Sequence, residues 1–345
     1  MSPQADDAAD ATPHPRATSV LFGHADAEAA LLAAYRSGHV PHAWLIVGPR
    51  GIGKATLAYR MARFVLTHPN PVAAEVAAST SLAVDAGHPV ARRIAARAQG
   101  DLLVLERTLN EKGVLRQQIA VDDVRRTVAF FGSTAGEGGW RLAIVDAVDE
   151  LNRSSANALL KVLEEPPQRA LLMLVSHSPA RLPATLRSRC RIMTLRLLAE
   201  ADIAAAAAAA TGTTAGAADV MAAAAAAEGS VGRALALLDE DARALRQRAL
   251  DLLDRLPTLD TMALHALGEA LAGSDPGPLA AFVDTVNGWL SRRLARERGG
   301  IGRLARLAEA NERINSAARD VETYNLERKP LVFGVFAWLA DATRD

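Results

Sequence analysis

The chain has 345 residues, half of them apolar, and its 39 basic side chains balance 39 acidic ones. Zero net charge argues against a protein that coats nucleic acid by itself, although a local basic patch remains open. The single cysteine, Cys190, excludes an internal disulfide framework and a cysteine-based zinc site, and the eight histidines lack ligand-like spacing, so we expect no metal site. Since no apolar run nears the ~20 residues of a membrane helix and the first residues lack a secretory pattern, we expect a cytoplasmic protein with no membrane partner.

The first part of the chain alternates apolar strands with helical patterns. Residues 1–18 are rich in alanine, aspartate and proline, which predicts a disordered tail. A helix is expected after His24. The apolar run 42–47 predicts a strand that leads directly into a glycine-rich loop, and residues 56–66 have helical spacing behind that loop.

The same alternation continues to about residue 200. Apolar runs predict further strands at 101–106, 141–145, 171–175 and 192–195. Helical patterns cover 121–131 and the stretch from a cap at Asn152 or Ser154 to Pro166. Strands that alternate with helices predict an α/β fold, a parallel sheet flanked by helices that binds ligands at the carboxyl ends of its strands. Composition shifts near 199–200 and 240–255 predict two helical parts after the sheet.

Two motifs at that sheet edge resemble the halves of a nucleotide-hydrolysing site. The loop keeps the main residues of a phosphate cradle, Gly48, Gly51, Gly53 and Lys54. However, Ala55 occupies the position of the hydroxyl that binds magnesium. Asp146 ends a predicted strand, where a carboxylate could bind magnesium, but Ala147 follows in place of the glutamate that activates water. Two losses in one site predict an ATPase fold without turnover.

Each motif keeps a second interpretation. Lys54 is either a phosphate contact or a relic above an empty loop, because the glycine backbone alone can still hold phosphate at a helix N-terminus. Asp146 either coordinates magnesium or caps the turn that follows its strand. Glu164 and Glu165 could form a catalytic acid pair, but we interpret them as a charged helix end at a surface between subunits.

Several longer motifs resemble the bacterial clamp-loader subunits of the AAA+ class, and within that class the delta-prime type most closely. The first half of the chain contributes Pro41-His-Ala-Trp-Leu45, Gly48-Pro-Arg-Gly-Ile-Gly-Lys54, Asp101-Leu-Leu-Val-Leu-Glu-Arg107 and Ile119-Ala-Val-Asp122. The remaining motifs are Trp140-Arg-Leu-Ala-Ile-Val-Asp146, Asn157-Ala-Leu-Leu-Lys-Val-Leu-Glu-Glu-Pro-Pro167 and Leu186-Arg-Ser-Arg-Cys-Arg191. The last two motifs are far more specific than the glycine loop.

The resemblance implies three domains after the tail: an AAA+ nucleotide-binding-like domain at 19–199, a helical lid at 200–245 and a helical collar for oligomerisation at 246–345. It implies a subunit of the DNA polymerase III clamp loader that works with gamma/tau and delta subunits, the beta sliding clamp and primed DNA. It also implies that Arg189 acts in trans as an arginine finger on ATP held by an adjacent gamma/tau subunit. The neighbouring Arg187, Arg191 and Arg196 are interpreted as surface residues.

The chain differs from the ATP-hydrolysing members of the class at several positions, and these differences favour a subunit that does not hydrolyse ATP. Those members carry a hydroxyl at the position of Ala55 and a glutamate at that of Ala147. In the lid, Gly232 stands where they have an arginine, and Arg233 comes one residue later, which turns its side chain by about 100°. The site at Gly48, Gly51, Gly53, Lys54 and Asp146 is therefore predicted to be degenerate, with no required cofactor and at most weak ATP or ADP binding.

A motor subunit of the gamma/tau type, whose degenerate motifs still hydrolyse ATP, is the alternative function. An unrelated P-loop kinase is disfavoured, because it would leave the Ser188-Arg189-Cys190 signature unexplained.

Overall fold

The computed structural model describes residues 13–344 except 109–115, 117, 133–138, 274–275, 297–300 and 325. Most of the predicted tail at 1–18 lies outside the described residues. Its last part, residues 13–18, contains a turn whose Pro15 and Arg16 carbonyl oxygens accept hydrogen bonds of 3.0 and 2.9 Å from Arg63. Disorder of the tail stays a prediction.

Five parallel strands form one sheet. They are β1 (Ala43–Val47), β2 (Leu102–Leu105), β3 (Arg141–Asp146), β4 (Ala170–Ser176) and β5 (Arg191–Thr194). Their order across the sheet is β2-β3-β4-β1-β5, with every pair parallel. All five predicted strands are confirmed, and so is the predicted α/β class with a parallel sheet flanked by helices.

Ten α-helices accompany the sheet in the described residues up to 238. Seven belong to the sheet region: α1 (Ala25–Arg36), α2 (Lys54–Thr67), α3 (Ala74–Ala78), α4 (Pro89–Ala95), α5 (Val121–Gly132), α6 (Arg153–Glu164) and α7 (Ala184–Arg187). Three more lie in the part of the chain predicted as the lid at 200–245, and we keep that name for them: α8 (Glu200–Thr211), α9 (Ala218–Ala226) and α10 (Val231–Leu238). Of the two predicted caps for α6, Asn152 is the one used, since its side chain accepts a 2.8 Å hydrogen bond from the Ser155 amide.

Strand side chains alternate between two cores, one on each face of the sheet. On β1, Trp44 and Ile46 pack with the buried residues of α1 and α2. Leu45 and Val47 point to the opposite face and pack with those of α5 and α6. Because helices cover both faces, the strands are apolar throughout, as a buried parallel sheet requires. The carboxyl edge of the sheet is left for the glycine loop.

The chain divides into two compact units, with the break at residues 235–236. The second unit is helical and contains α11 (Glu240–Leu253), α12 (Thr261–Ala270), α13 (Pro276–Arg296), α14 (Ile301–Tyr324) and α15 (Arg328–Thr343). Its core includes the fully buried rings of Phe282 and Phe336. The predicted boundary at 245–246 falls inside α11, so an uninterrupted helix runs through it. Within the described ranges, none of the helices has the length and apolar character needed to cross a membrane.

Candidate functional site

The glycine loop joins β1 to α2 at the carboxyl edge of the sheet. Gly53 is the cap of α2 and has a φ angle of +99°, which residues with a side chain rarely adopt. Gly48 approaches its surroundings so closely that an added Cβ would lie 2.7 Å from the Leu195 carbonyl oxygen. The loop therefore has the backbone of a phosphate cradle at a helix N-terminus.

Lys54 is the first residue of α2, and its side chain folds back over the loop. Its Nζ donates hydrogen bonds to the carbonyl oxygens of Gly48, at 2.7 Å, and of Pro49. Burial lowers the pKa of Lys54 to about 8, although the carboxylates of Asp146 and Asp149 act in the opposite direction. The ammonium group is thus held by the backbone of its own loop and faces two acids.

The lid touches the loop through its backbone. The Ser230 hydroxyl donates a 3.0 Å hydrogen bond to the Arg50 carbonyl, and the Gly232 amide donates another of 3.0 Å to the Gly51 carbonyl. A Cβ on Gly51 would lie 2.4 Å from Ser230 Oγ, and a Cβ on Gly232 would lie 3.0 Å from Gly51 Cα. The absence of side chains at both glycines allows this close contact, and a side chain at position 232 would require the two backbones to shift by a few tenths of an ångström.

Arg233, the displaced lid arginine, is directed to a residue of the lid. Its Nη1 lies 2.6 Å from Glu228 Oε2. The Arg233 guanidinium is therefore engaged by an ion pair with a residue of the lid and not by the loop.

His24 is a part of the loop region that sequence reasoning missed. Its side chain is buried, and its Nε2 lies 2.7 Å from the Ile52 carbonyl oxygen, which requires the proton on Nε2. Together with Lys54 and the lid donors, it brings every carbonyl oxygen from residue 48 to 52 into a hydrogen bond. The loop conformation is therefore fixed from several sides.

Asp146 ends β3 beside the loop, as predicted. Burial raises the pKa of the Asp146 carboxyl to about 6, and the nearby Glu106 raises it further, whereas Lys54 and Arg50 lower it. The site thus favours the neutral acid more than an exposed aspartate would. A carboxylate kept at such a position without full compensation is a feature of functional sites more often than of structural ones.

Replacing Asp146 with asparagine is expected to stabilise the protein at pH 8. A raised pKa means that the folded chain holds the proton more tightly than the unfolded chain, so this group's contribution to stability is complete below about pH 3.8 and is lost as the pH rises through about 6. Asp146→Asn removes that loss, which corresponds to about 1–3 kcal/mol for a shift of this size. Urea unfolding of both proteins from pH 4 to 8 measures the difference.

The exposed carboxylate of Asp122, whose side chain is 90% accessible, gives the matched control as Asp122→Asn. If the gain from Asp146→Asn is the same at pH 4 and pH 8, burial of the charge is not its cause.

Asp149 is a second acid that the sequence did not single out. Its carboxylate accepts hydrogen bonds from the Ser176 hydroxyl at 2.9 Å and from the amides of His177 at 2.6 Å and Ser178 at 3.1 Å. These bonds hold the chain where it leaves β4, next to the loop. Burial and the positive charges of Lys54 and Arg50 lower the pKa of His177 to about 4, so its ring is neutral near pH 7.

Ala147 and Ala55 differ in their surroundings. Ala147 is only 2% exposed and its methyl group belongs to the core on the α1 and α2 face. Ala55 is half-buried in the first turn of α2. Neither side chain can bind a metal or accept a proton from water, so the two chemical functions that their positions serve in an ATPase are missing.

Arg189 lies at the opposite end of the sheet from the loop. It precedes β5, whereas the loop follows β1, and the two strands are parallel neighbours with Trp44 opposite Arg191. The four residue steps of β1 alone separate the two ends by about 13 Å. The Arg189 side chain is 35% exposed, with Nη2 2.8 Å from Glu164 Oε1. A guanidinium at this end faces away from its own loop.

The fold and the loop together define an α/β domain with a P-loop-like glycine loop between β1 and α2. The family model described as "DNA polymerase III, delta subunit" matches residues 23–199, which is more than half of the chain. The chain therefore belongs to the DNA polymerase III delta-subunit family, as the resemblance of its motifs predicted.

Two relatives named DNA polymerase III subunit delta' are similar to part of the chain. The protein of Pseudomonas aeruginosa is 38% identical over 149 residues, 43% of this chain and 41% of that protein. The protein of Escherichia coli K12 is 31% identical over 169 residues, 47% of this chain and 44% of that protein. A relative from Mycobacterium bovis named DNA polymerase III subunit gamma/tau is 28% identical over 283 residues, 79% of this chain and 46% of that protein. The chain thus spans less than half the length of each of these relatives.

Proposed function

We propose that the chain is a non-hydrolysing clamp-loader subunit of the delta-prime type. It joins gamma/tau and delta subunits of the DNA polymerase III clamp loader in the cytoplasm and supports the loading of the beta sliding clamp onto primed DNA. It contributes Arg189 to the ATP site of an adjacent gamma/tau subunit, because a guanidinium at the γ-phosphate stabilises the charge of the transition state. It needs no cofactor of its own, and ATP or ADP binds its loop at most weakly.

The observation that carries the proposal is the paired loss at Ala55 and Ala147 in an otherwise intact loop. Removal of a general base alone costs about 10² to 10⁴ in rate. The absent hydroxyl takes away a magnesium ligand as well. The close contact between Gly51 and Gly232 supports the proposal further, since a Cβ at position 232 would lie only 3.0 Å from the Gly51 Cα.

The purified chain is expected to release no inorganic phosphate from ATP above background. The measurement is a steady-state phosphate assay with a gamma/tau subunit, purified in the same way, as the positive control. Steady release by the isolated chain that survives further purification would overturn the proposal.

A motor of the gamma/tau type is the second candidate function. The gamma/tau relative from Mycobacterium bovis favours it, because that similarity extends over 79% of this chain. A motor must turn over ATP at its own loop, so the same phosphate assay separates the two candidates.

A further inference from the structure

Arg189 is held at two points by groups of its own chain. Its Nη2 lies 2.8 Å from Glu164 Oε1, and its Nη1 donates a 2.8 Å hydrogen bond to the Thr185 carbonyl oxygen. A guanidinium has five N–H groups in a fixed plane, so two contacts fix the plane and leave other N–H groups over for a phosphate oxygen.

The negative charge of Glu164 lies at an unfavourable position unless a cation such as Arg189 compensates it. It is the last residue of α6, where the carbonyl oxygens of the helix end already carry partial negative charge. Thr185 lies in α7, so the Arg189 guanidinium sits between a carboxylate at the end of one helix and a carbonyl group of another. The cation compensates both negative groups, and in return they restrict its orientation.

The side chains of Arg189 and Glu164 are partly exposed to solvent, which limits how much their ion pair adds to the free energy of unfolding. The side chains of Arg189 and Glu164 are 35% and 48% exposed, and pairs of this kind contribute at most about 1 kcal/mol. However, a free arginine side chain has about 2 kcal/mol of rotamer entropy to lose on becoming ordered. The pair can therefore favour one orientation of the guanidinium before a partner arrives by at most about 1 kcal/mol, which is a part of that entropy cost.

We propose that Glu164 is a positioning residue, which orients Arg189 toward a triphosphate bound by the adjacent subunit. This inference rests on the proposed function, because it concerns the same transfer of a cation to a neighbour's site. Glu164 touches no reacting atom and acts through Arg189 alone. Its neighbour Glu165 carries the same charge on an exposed side chain and has no part in the pair.

The test uses the reconstituted clamp loader, with gamma/tau, delta, clamp and primed DNA, and with the other ATPase sites inactivated by substitution. Glu164→Gln keeps the shape of the side chain and removes its charge. We expect kcat for ATP hydrolysis to fall about two- to fivefold, with KM for ATP and complex assembly unchanged. Glu165→Gln is the matched control and is expected to leave kcat as it is.

The double variant Glu164→Gln with Arg189→Ala separates the inference from the function on which it rests. It should be no slower than Arg189→Ala alone, because Glu164 acts only through the arginine. If Arg189→Ala slows hydrolysis but Glu164→Gln behaves like Glu165→Gln, the positioning role is wrong and the finger stands. If Glu164→Gln speeds hydrolysis, the pair restrains the finger and the inference is overturned. If Arg189→Ala has no effect, both proposals fail together.

Discussion

Replacing Arg189 with alanine is expected to slow ATP hydrolysis at the partner site next to this chain by about 10³- to 10⁵-fold, the range typical of arginine fingers. Arg189 lies at the amino end of β5, remote from its own loop at the carboxyl end of β1. An effect on hydrolysis must therefore arise in another subunit. Assembly should be unchanged, because the half-exposed pair with Glu164 adds little to folding.

Single-turnover hydrolysis in a complex with one active ATP site measures this effect, and size-exclusion chromatography checks assembly. Arg189→Lys keeps the charge but loses the planar fork of N–H groups, so it should recover only a small part of the rate. Arg196→Ala removes an exposed arginine that follows β5 and is the matched control. Hydrolysis at the original rate in Arg189→Ala would contradict the finger role.

The sheet could be predicted from the sequence because each strand is a short apolar run between turn residues. A strand buried on both faces needs no alternation, and a run of five residues such as Leu171 to Val175, which follows a proline pair, is too short for a buried helix. The order of the strands across the sheet could not be predicted in this way. Register and order depend on pairings between segments far apart in the chain, which local patterns do not encode.

Only those residues of the candidate site that belong to short sequence motifs could be predicted. Lys54 and Asp146 were found because each belongs to a pattern of adjacent residues. His24 and Ser230 were missed, since they contact the loop from 28 and 180 residues away along the chain. A single histidine after a glycine, or a serine before a helix, occurs in many structural roles, so its position in the sequence does not predict a contact with the glycine loop.

The domain boundary after the lid stays a prediction. The shift in composition near residues 240–255 coincides with the more polar α11, whereas the contacts of the chain divide at residues 235–236. The lid helices are rich in alanine and bury small side chains such as Ala204 and Ala223. Packing between distant segments determines where a compact unit ends, and a change in amino-acid composition need not occur at the same residue.

Replacing Gly51 with alanine is expected to weaken the contact between the lid and the loop. The φ angle of Gly51 is +73°, so any side chain costs about 1–2 kcal/mol there. The new methyl group would also lie 2.4 Å from Ser230 Oγ and 3.0 Å from the backbone of Gly232, and such overpacking typically costs a further 1–3 kcal/mol. The Ser230 hydroxyl can rotate away, but the backbone of Gly232 must shift by a few tenths of an ångström, so the hydrogen bond from the Gly232 amide to the Gly51 carbonyl should weaken.

Amide hydrogen exchange at residue 232 measures this opening directly, because that amide is the donor of the bond. Gly38→Ala is the matched control: Gly38 has a φ angle of +72°, but an added Cβ there meets no atom within 4 Å. Both variants should lose the stability that left-handed backbone strain removes, and only Gly51→Ala should lose protection at residue 232. Equal protection at that amide in the two variants would mean that the lid does not depend on the glycine contact, and that contact would no longer support the proposed function.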